Sequence, residues 1–128
     1  MRTRKINSEG WPTFFDDFTR LYRGRRVNIE TLGDGTIGVT SRAADMPLVG
    51  IVAAHPTVEA VEAIIEIFAG DELESTMISI QNPKQVVIAH EDDGRAVALQ
   101  IESTDGSVTM IRFDASVESL ASGFMVEL

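Results

Sequence analysis

The first apolar pattern in the chain repeats every 3.6 residues. Trp11, Phe14, Phe15, Phe18, Leu21 and Tyr22 stand at i, i+3, i+4, i+7, i+10 and i+11, with Asp16, Asp17, Thr19, Arg20 and Arg23 between them. Side chains three and four apart return to the same side of a helix, so these residues form one apolar face. Asn7 or Ser8 offers a cap for the start, Pro12 suits an early turn, and Gly24 is a natural stop. Five of the chain's eight aromatic residues lie on this stripe. Burying each ring is worth roughly 1.5–3 kcal/mol, so the helix requires a large apolar surface. Trp11, Phe14, Phe15 and Phe18 are expected to be structural anchors.

From Arg25 onward the period falls to two. Residues 26–32 and 36–40 alternate cleanly around Gly33-Asp34-Gly35. A three-residue loop with Gly35 left-handed pairs Ile29 with Val39 and Thr31 with Ile37, whereas a two-residue Asp-Gly turn sets Val39 against Glu30. The three-residue form is expected.

The second half repeats this logic. With Gly106 left-handed in a Thr104-Asp105-Gly106 loop, Val97 faces Phe113, Leu99 faces Ile111 and Ile101 faces Thr109. A four-residue loop at 91–94 sets Ile88 opposite Val97 and Val86 opposite Leu99. A turn about Asn82-Pro83-Lys84 sets Ile78 opposite Ile88 and Ile80 opposite Val86. Two cross-strand apolar rows result, Ile78–Ile88–Val97–Phe113 and Ile80–Val86–Leu99–Ile111, and a one-residue slip would expose a whole row. Their apolar face is the expected dock for the helix. Residues 48–53 read as a strand buried on both sides. Residues 62–69 favour a strand over a helix because they are rich in β-branched side chains. Residues 115–128 have the apolar content for a short helix or an edge strand.

The expected fold is therefore α+β, an N-terminal amphipathic helix packed on a mostly antiparallel, twisted β-meander sheet or partial barrel of about seven or eight strands. A single domain is expected over 1–128, with a basic N-terminus and helix (1–24), the sheet (25–114) and a C-terminal segment (115–128).

Charge and composition narrow the classes of function. The net charge of −9 is unevenly placed: residues 1–26 carry +4 and the remainder −13. A basic end can touch nucleic acid, but the acidic body repels polyanions, so nucleic-acid binding is not expected. Cysteine is absent, which excludes disulfides and thiolate chemistry, and two histidines make a zinc site improbable. No apolar run approaches the ~18 residues of a membrane span, and the basic start has no signal-peptide apolar region after it. A cytoplasmic location is expected, and no cofactor or metal.

Arg2-Thr3-Arg4, then Trp11-Pro12-Thr13-Phe14-Phe15-Asp16 with Phe18, then Pro47-Leu48-Val49-Gly50-Ile51, resemble a bacterial family of unknown function, domain-of-unknown-function family 5335. Asn82-Pro83 before a strand, and Ile101-Glu102-Ser103-Thr104-Asp105-Gly106 followed by Ile111-Arg112-Phe113, continue the similarity through Phe113. The resemblance supports the fold and implies no activity. Members often carry a His or charged residue just before the Asn82-Pro83 turn, where this chain has Thr76-Met77-Ile78-Ser79, which argues against a histidine-based site there.

The candidate chemistry is sparse. Gly33-Asp34-Gly35 has no following helix and no P-loop lysine, so it is not read as a phosphate cradle. His55 beside Pro56 and His90 at a strand end lack a sequence-near nucleophile and orienting acid. Glu91-Asp92-Asp93 and Asp71-Glu72 read as solvated turn acids because the alternating ligands of an EF-hand are missing. Asp45, His55 and Arg112 remain as candidates for a ligand site at the strand ends. Arg112, placed opposite Ala98 on the face away from the apolar rows, is expected to neutralise neighbours such as Glu102. Gly35, Gly94 and Gly106 are expected to meet backbone requirements. Val87, Ala89, Ala98, Val108 and Met110 make the second sheet face half apolar, which points to a covering element or partner. The first reading is a non-catalytic cytosolic binding, interaction or regulatory module with a protein partner or self-association. The second is a small enzyme or ligand-binding protein using Asp45, His55 and Arg112.

Overall fold

The computed structural model describes residues 2–33, 38–54 and 63–113. An edge strand β1 (Arg2–Ile6) and a short 3₁₀ turn (Ser8–Gly10) precede helix α1 (Trp11–Tyr22). Seven strands follow: β2 (Arg26–Leu32), β3 (Val39–Ala54), β4 (Ile64–Gly70), β5 (Ser75–Gln81), β6 (Pro83–His90), β7 (Ala96–Ser103) and β8 (Val108–Arg112). All pair antiparallel in the order β1-β6-β7-β8-β2-β3-β4-β5, an open, partly rolled sheet. The expected α+β architecture of one N-terminal helix packed on a partial barrel is the fold observed.

One long strand makes the roll. The first part of β3 pairs with β2 and its second part with β4. Within the part paired to β2 the register slips twice, leaving Asp45 and then Arg42 as extra residues on β3. Such bulges bend a strand and re-aim its side chains. Asp45 adopts φ 51°, a left-handed conformation that Asp tolerates better than most residues. Its N–H donates to Asn28 Oδ1 at 3.0 Å, and Arg26 Nε donates to its carboxylate at 2.8 Å.

The helix lies along the second part of β3, where β2 no longer runs. Ile51 faces Ile67 of β4, and its other edge is taken by Thr19 rather than by a strand. Gly50 makes room, since a Cβ there would stand 3.2 Å from the Thr19 methyl. Trp11, Phe15 and Phe18 are buried in the core with Ile29, Leu48, Ile67, Leu99 and Ile111. Phe14 and Tyr22 are partly buried against that core, whereas Leu21 is exposed. The aromatic anchors are buried or partly buried as expected; the helix runs along β3, and its Phe18 and Tyr22 also reach the C-terminal meander, at the Phe113 ring and the Ala96 N–H. Neither Asn7 nor Ser8 caps it; Gly10 occupies the N-cap without a side-chain bond, and Trp11 Nε1 donates to the Ile6 carbonyl at 2.9 Å. Gly24 ends the helix as expected, at φ 89°.

The β7–β8 hairpin has the expected register: Leu99 faces Ile111, Ile101 faces Thr109, Ala98 faces Arg112, and Gly106 is left-handed at φ 89°. Three other expectations are corrected. In β6–β7, Ile88 faces Leu99 and Val86 faces Ile101, two residues from the expected register. The loop is three residues long, closed by Glu91 N–H to Arg95 C=O, and a bulge follows beside Ala96. The two effects sum to an even shift, so the core face is preserved except at Val97, which turns to the opposite face. β5 and β6 are not paired at all: Asn82, at φ 52°, turns a corner, and Ile78, Ile80, Val86 and Ile88 share one core without being ladder neighbours. In β2–β3, Leu32 faces Val39 and Ile29 faces Ala43, because the connection is longer than three residues and β3 is bulged.

The strand expected at 48–53 is present within β3, yet Val49 and Val52 are exposed, so it is buried on one side only. Residues 64–70 are a strand, as expected for 62–69. β1 was not foreseen, since its alternation is hidden by Arg2, Arg4 and Lys5 on an exposed edge. The expectations for Gly35, residues 57–62 and residues 115–128 lie outside the described residues.

Candidate binding site

Inward-facing positions change character along the sheet. Ile29, Ile111 and Leu99 form one inward row across β2, β8 and β7. One step further along the strands, the same face carries Thr31, Thr109 and Ile101, and then Ser103. Thr31, Thr109 and Ser103 are each about 5% exposed or less. At this end the roll opens into a cavity of about 490 Å³. Ile78 and Ile80 of β5 form its apolar side, and Ser79, Gln81 and Ser107 add polar groups. Arg42 lines it from the β3 bulge, a position that ordinary strand alternation would not provide.

Two features give this cavity chemical interest. Its buried lining is hydroxylic where the rest of the core is apolar, and among the described residues the Thr31 hydroxyl makes no hydrogen bond. Leaving a buried hydroxyl unmatched costs about 1–3 kcal/mol, a cost that folding alone gives no reason to keep. The carboxylate in the lining, Asp105, is committed to its own turn: its Oδ1 accepts the Ser107 N–H at 2.8 Å, which holds its pKa below the usual carboxylate value. No histidine contributes to the described lining.

The residues singled out from the sequence sit elsewhere. Asp45 is the bulge residue described above and is engaged by Arg26 and Asn28. Arg112 Nη2 donates to Glu30 Oε1 at 2.8 Å on the outer face of β8 and β2, with little exposure of either side chain. Its partner is thus Glu30; Glu102 instead pairs with Lys84. Asn28 of β2 faces Arg112 and receives the Asp45 N–H, so it stands between these two candidates, which lie on the strands flanking β2 and outside the cavity. His55 lies outside the described residues. His90 Nδ1 stands 3.1 Å from the Glu91 carbonyl. Among the described residues no three His, Asp or Glu side chains converge as metal ligands do, and no helix is long and apolar enough to cross a membrane.

The hydroxylic mouth was not singled out from the sequence, although a signal existed. Thr109 already faced Ile101 in the expected register, a polar residue interrupting an inward apolar row.

A family model described as a family of unknown function, DUF5335, matches residues 2–120. The chain belongs to this family. No curated protein and no solved structure matches it. DUF5335 membership thus spans the roll, the helix and the cavity together.

Proposed function

We propose that the protein is a non-catalytic binding module, and that its site is the hydroxyl-lined cavity at the open end of the roll. The observation carrying this reading is the unmatched Thr31 hydroxyl beside Thr109 and Ser103, on an otherwise apolar inner face. Hydroxyls next to Ile78 and Ile80 suit a small, uncharged polar molecule with one apolar face, such as a polyol or sugar. The second reading, a small enzyme or ligand-binding protein with its site near Asp45, His55 and Arg112, has less support because Asp45 and Arg112 are engaged in bulge and ion-pair roles. A cytoplasmic setting fits the acidic, cysteine-free sequence.

The test is amide chemical-shift mapping of the full chain with glycerol, myo-inositol and glucose as probes. Saturable shifts clustered at Thr31, Ser103 and Thr109, and lost in Thr31→Val, support the proposal. Shifts scattered over the surface, or unchanged in Thr31→Val, overturn it.

A further inference from the structure

The outer face of β6, β7 and β8 is shielded from water. Val87, Ala89, Ala98 and Met110 are at most 1% exposed, and with Val97 and Val108 they form an apolar cluster separate from the core around α1. The register sets Val87, Gln100, Met110 and Glu30 in one row across four strands, and all four are buried. The row continues to Lys5 of β1 and Ser41 of β3, and both of these ends are exposed. The dry stretch therefore spans three strand spacings, roughly 14 Å. A bare sheet face does not exclude water in this way: Val52 and Met77, which point outward from β3 and β5, are 50% and 54% exposed. Helix α1 packs against the opposite face, and among the described residues there is no other α-helix to cover this one.

We propose that residues 114–128 of the same chain lie across this face as its cover. The other segments outside the described residues are poorly placed for it. Residues 34–37 are only a short connection between β2 and β3, and 55–62 join β3 to β4, on the far side of β2 from the cluster. Residues 114–128 begin where the cluster does. Arg112 lies opposite Ala98 on the outer face, and the Phe113 N–H donates to the Val97 carbonyl at 2.9 Å. Val117, Leu120, Ala121, Phe124 and Leu128 recur at i, i+3, i+4, i+7 and i+11, which a helix gathers into one apolar stripe. At ~1.5 Å per residue, a helix over 117–128 is about 17 Å long, a match to the width of the dry stretch. An extended segment would leave its own amides unmatched against apolar side chains. The family match, which runs to residue 120, carries the stripe's first two members, Val117 and Leu120. The same cover shields the Glu30–Arg112 pair. This inference does not depend on what the cavity binds.

The test is isotope-filtered NOE spectroscopy of the full chain, in a mixture of labelled and unlabelled copies, with Leu120→Asp and Ser119→Asp variants. Contacts within one molecule from the Met110 methyl to Leu120 and Phe124 support the proposal. Leu120→Asp should then lower the folding equilibrium constant about tenfold or more and shift the signals of Val87, Ala98 and Met110. Ser119 lies opposite the stripe, so Ser119→Asp should leave those signals in place. If Leu120→Asp does not fold, the wild-type contacts decide. Contacts seen only between copies, with a second chain as the cover, overturn the proposal. So do the absence of any contact between Met110 and residues 114–128, a Leu120→Asp chain as stable as wild type, and equal disturbance by the two variants.

Discussion

The Thr19 hydroxyl accepts the Ile51 N–H at 3.0 Å and donates to the Ile51 carbonyl at 3.3 Å, so one side chain of α1 satisfies β3 as a neighbouring strand would. Valine at this position keeps the shape and removes both bonds. Thr19→Val is expected to cost about 1–3 kcal/mol, since two partly buried backbone groups lose their partner. Urea unfolding checks this; a loss below the error of the fit would show that water replaces the hydroxyl without penalty.

Thr31→Val should act in the opposite direction. Removing an unmatched buried hydroxyl while keeping the β-branched shape is expected to raise stability by about 1 kcal/mol or leave it unchanged. A drop in melting temperature would mean that the hydroxyl has a partner in solution.

The Glu30–Arg112 pair joins β2 to β8 with side-chain exposures of 9% and 16%. Truncating one member strands a mostly desolvated charge, and Glu30→Ala or Arg112→Ala should each cost about 2–4 kcal/mol. The double variant should cost clearly less than the two together. Strict additivity in that cycle would show that the pair is not coupled.

Two left-handed glycines should respond unequally. A Cβ on Gly106 meets open space, so alanine there carries only the conformational cost of about 1–2 kcal/mol, and valine more. A Cβ on Gly70, at φ 120°, would overlap the Glu74 carbonyl, and backbone cannot swing aside as a flexible side chain can. Gly70→Ala is expected to be the more damaging by several kcal/mol. Equal melting temperatures for the two alanine variants would contradict the close approach.

Asp71 and Asp105 both titrate below the ordinary 3.8. The N–H groups of Glu74 and then Leu73 hold the Asp71 carboxylate in its ionised form, and the Ser107 N–H followed by its hydroxyl does so for Asp105. A folded pKa below the unfolded one contributes stability that is present above 3.8 and is lost as pH falls through the lowered value. Carboxyl-detected titration should give midpoints under 3.8 for both turns. A midpoint at or above it would remove the turn bonds from the account.

How much the residues reveal in advance depends on whether the informative contact is local. α1 was legible because its stripe is a property of twelve consecutive residues. The β7–β8 register was legible because a short loop ending in Gly106 fixes it. The β5–β6 relationship was not: alternation shows that Ile78, Ile80, Val86 and Ile88 face a core, but not whether they reach it side by side or from opposing walls. The corner at Asn82 decides that, and a positive φ at asparagine leaves no periodic trace. Asp45 and Arg112 stood out as polar residues near strand ends. Yet a bulge brace and an ion pair demand the same residue types as a ligand site. The cavity escaped notice because threonine in a strand reads as ordinary β-propensity until its neighbours across three strands are known.

The pairing of Arg2 with His90 has a consequence for a chain made from its N-terminus. β1 is made well before β6 but completes its ladder only after β6 has been synthesised, and the aromatic face of α1 must likewise wait for β3. Through that interval the Trp11, Phe15 and Phe18 rings have no surface to settle on. Contacts so distant along the chain make closure slow, so β1 and the buried face of α1 are completed late in folding.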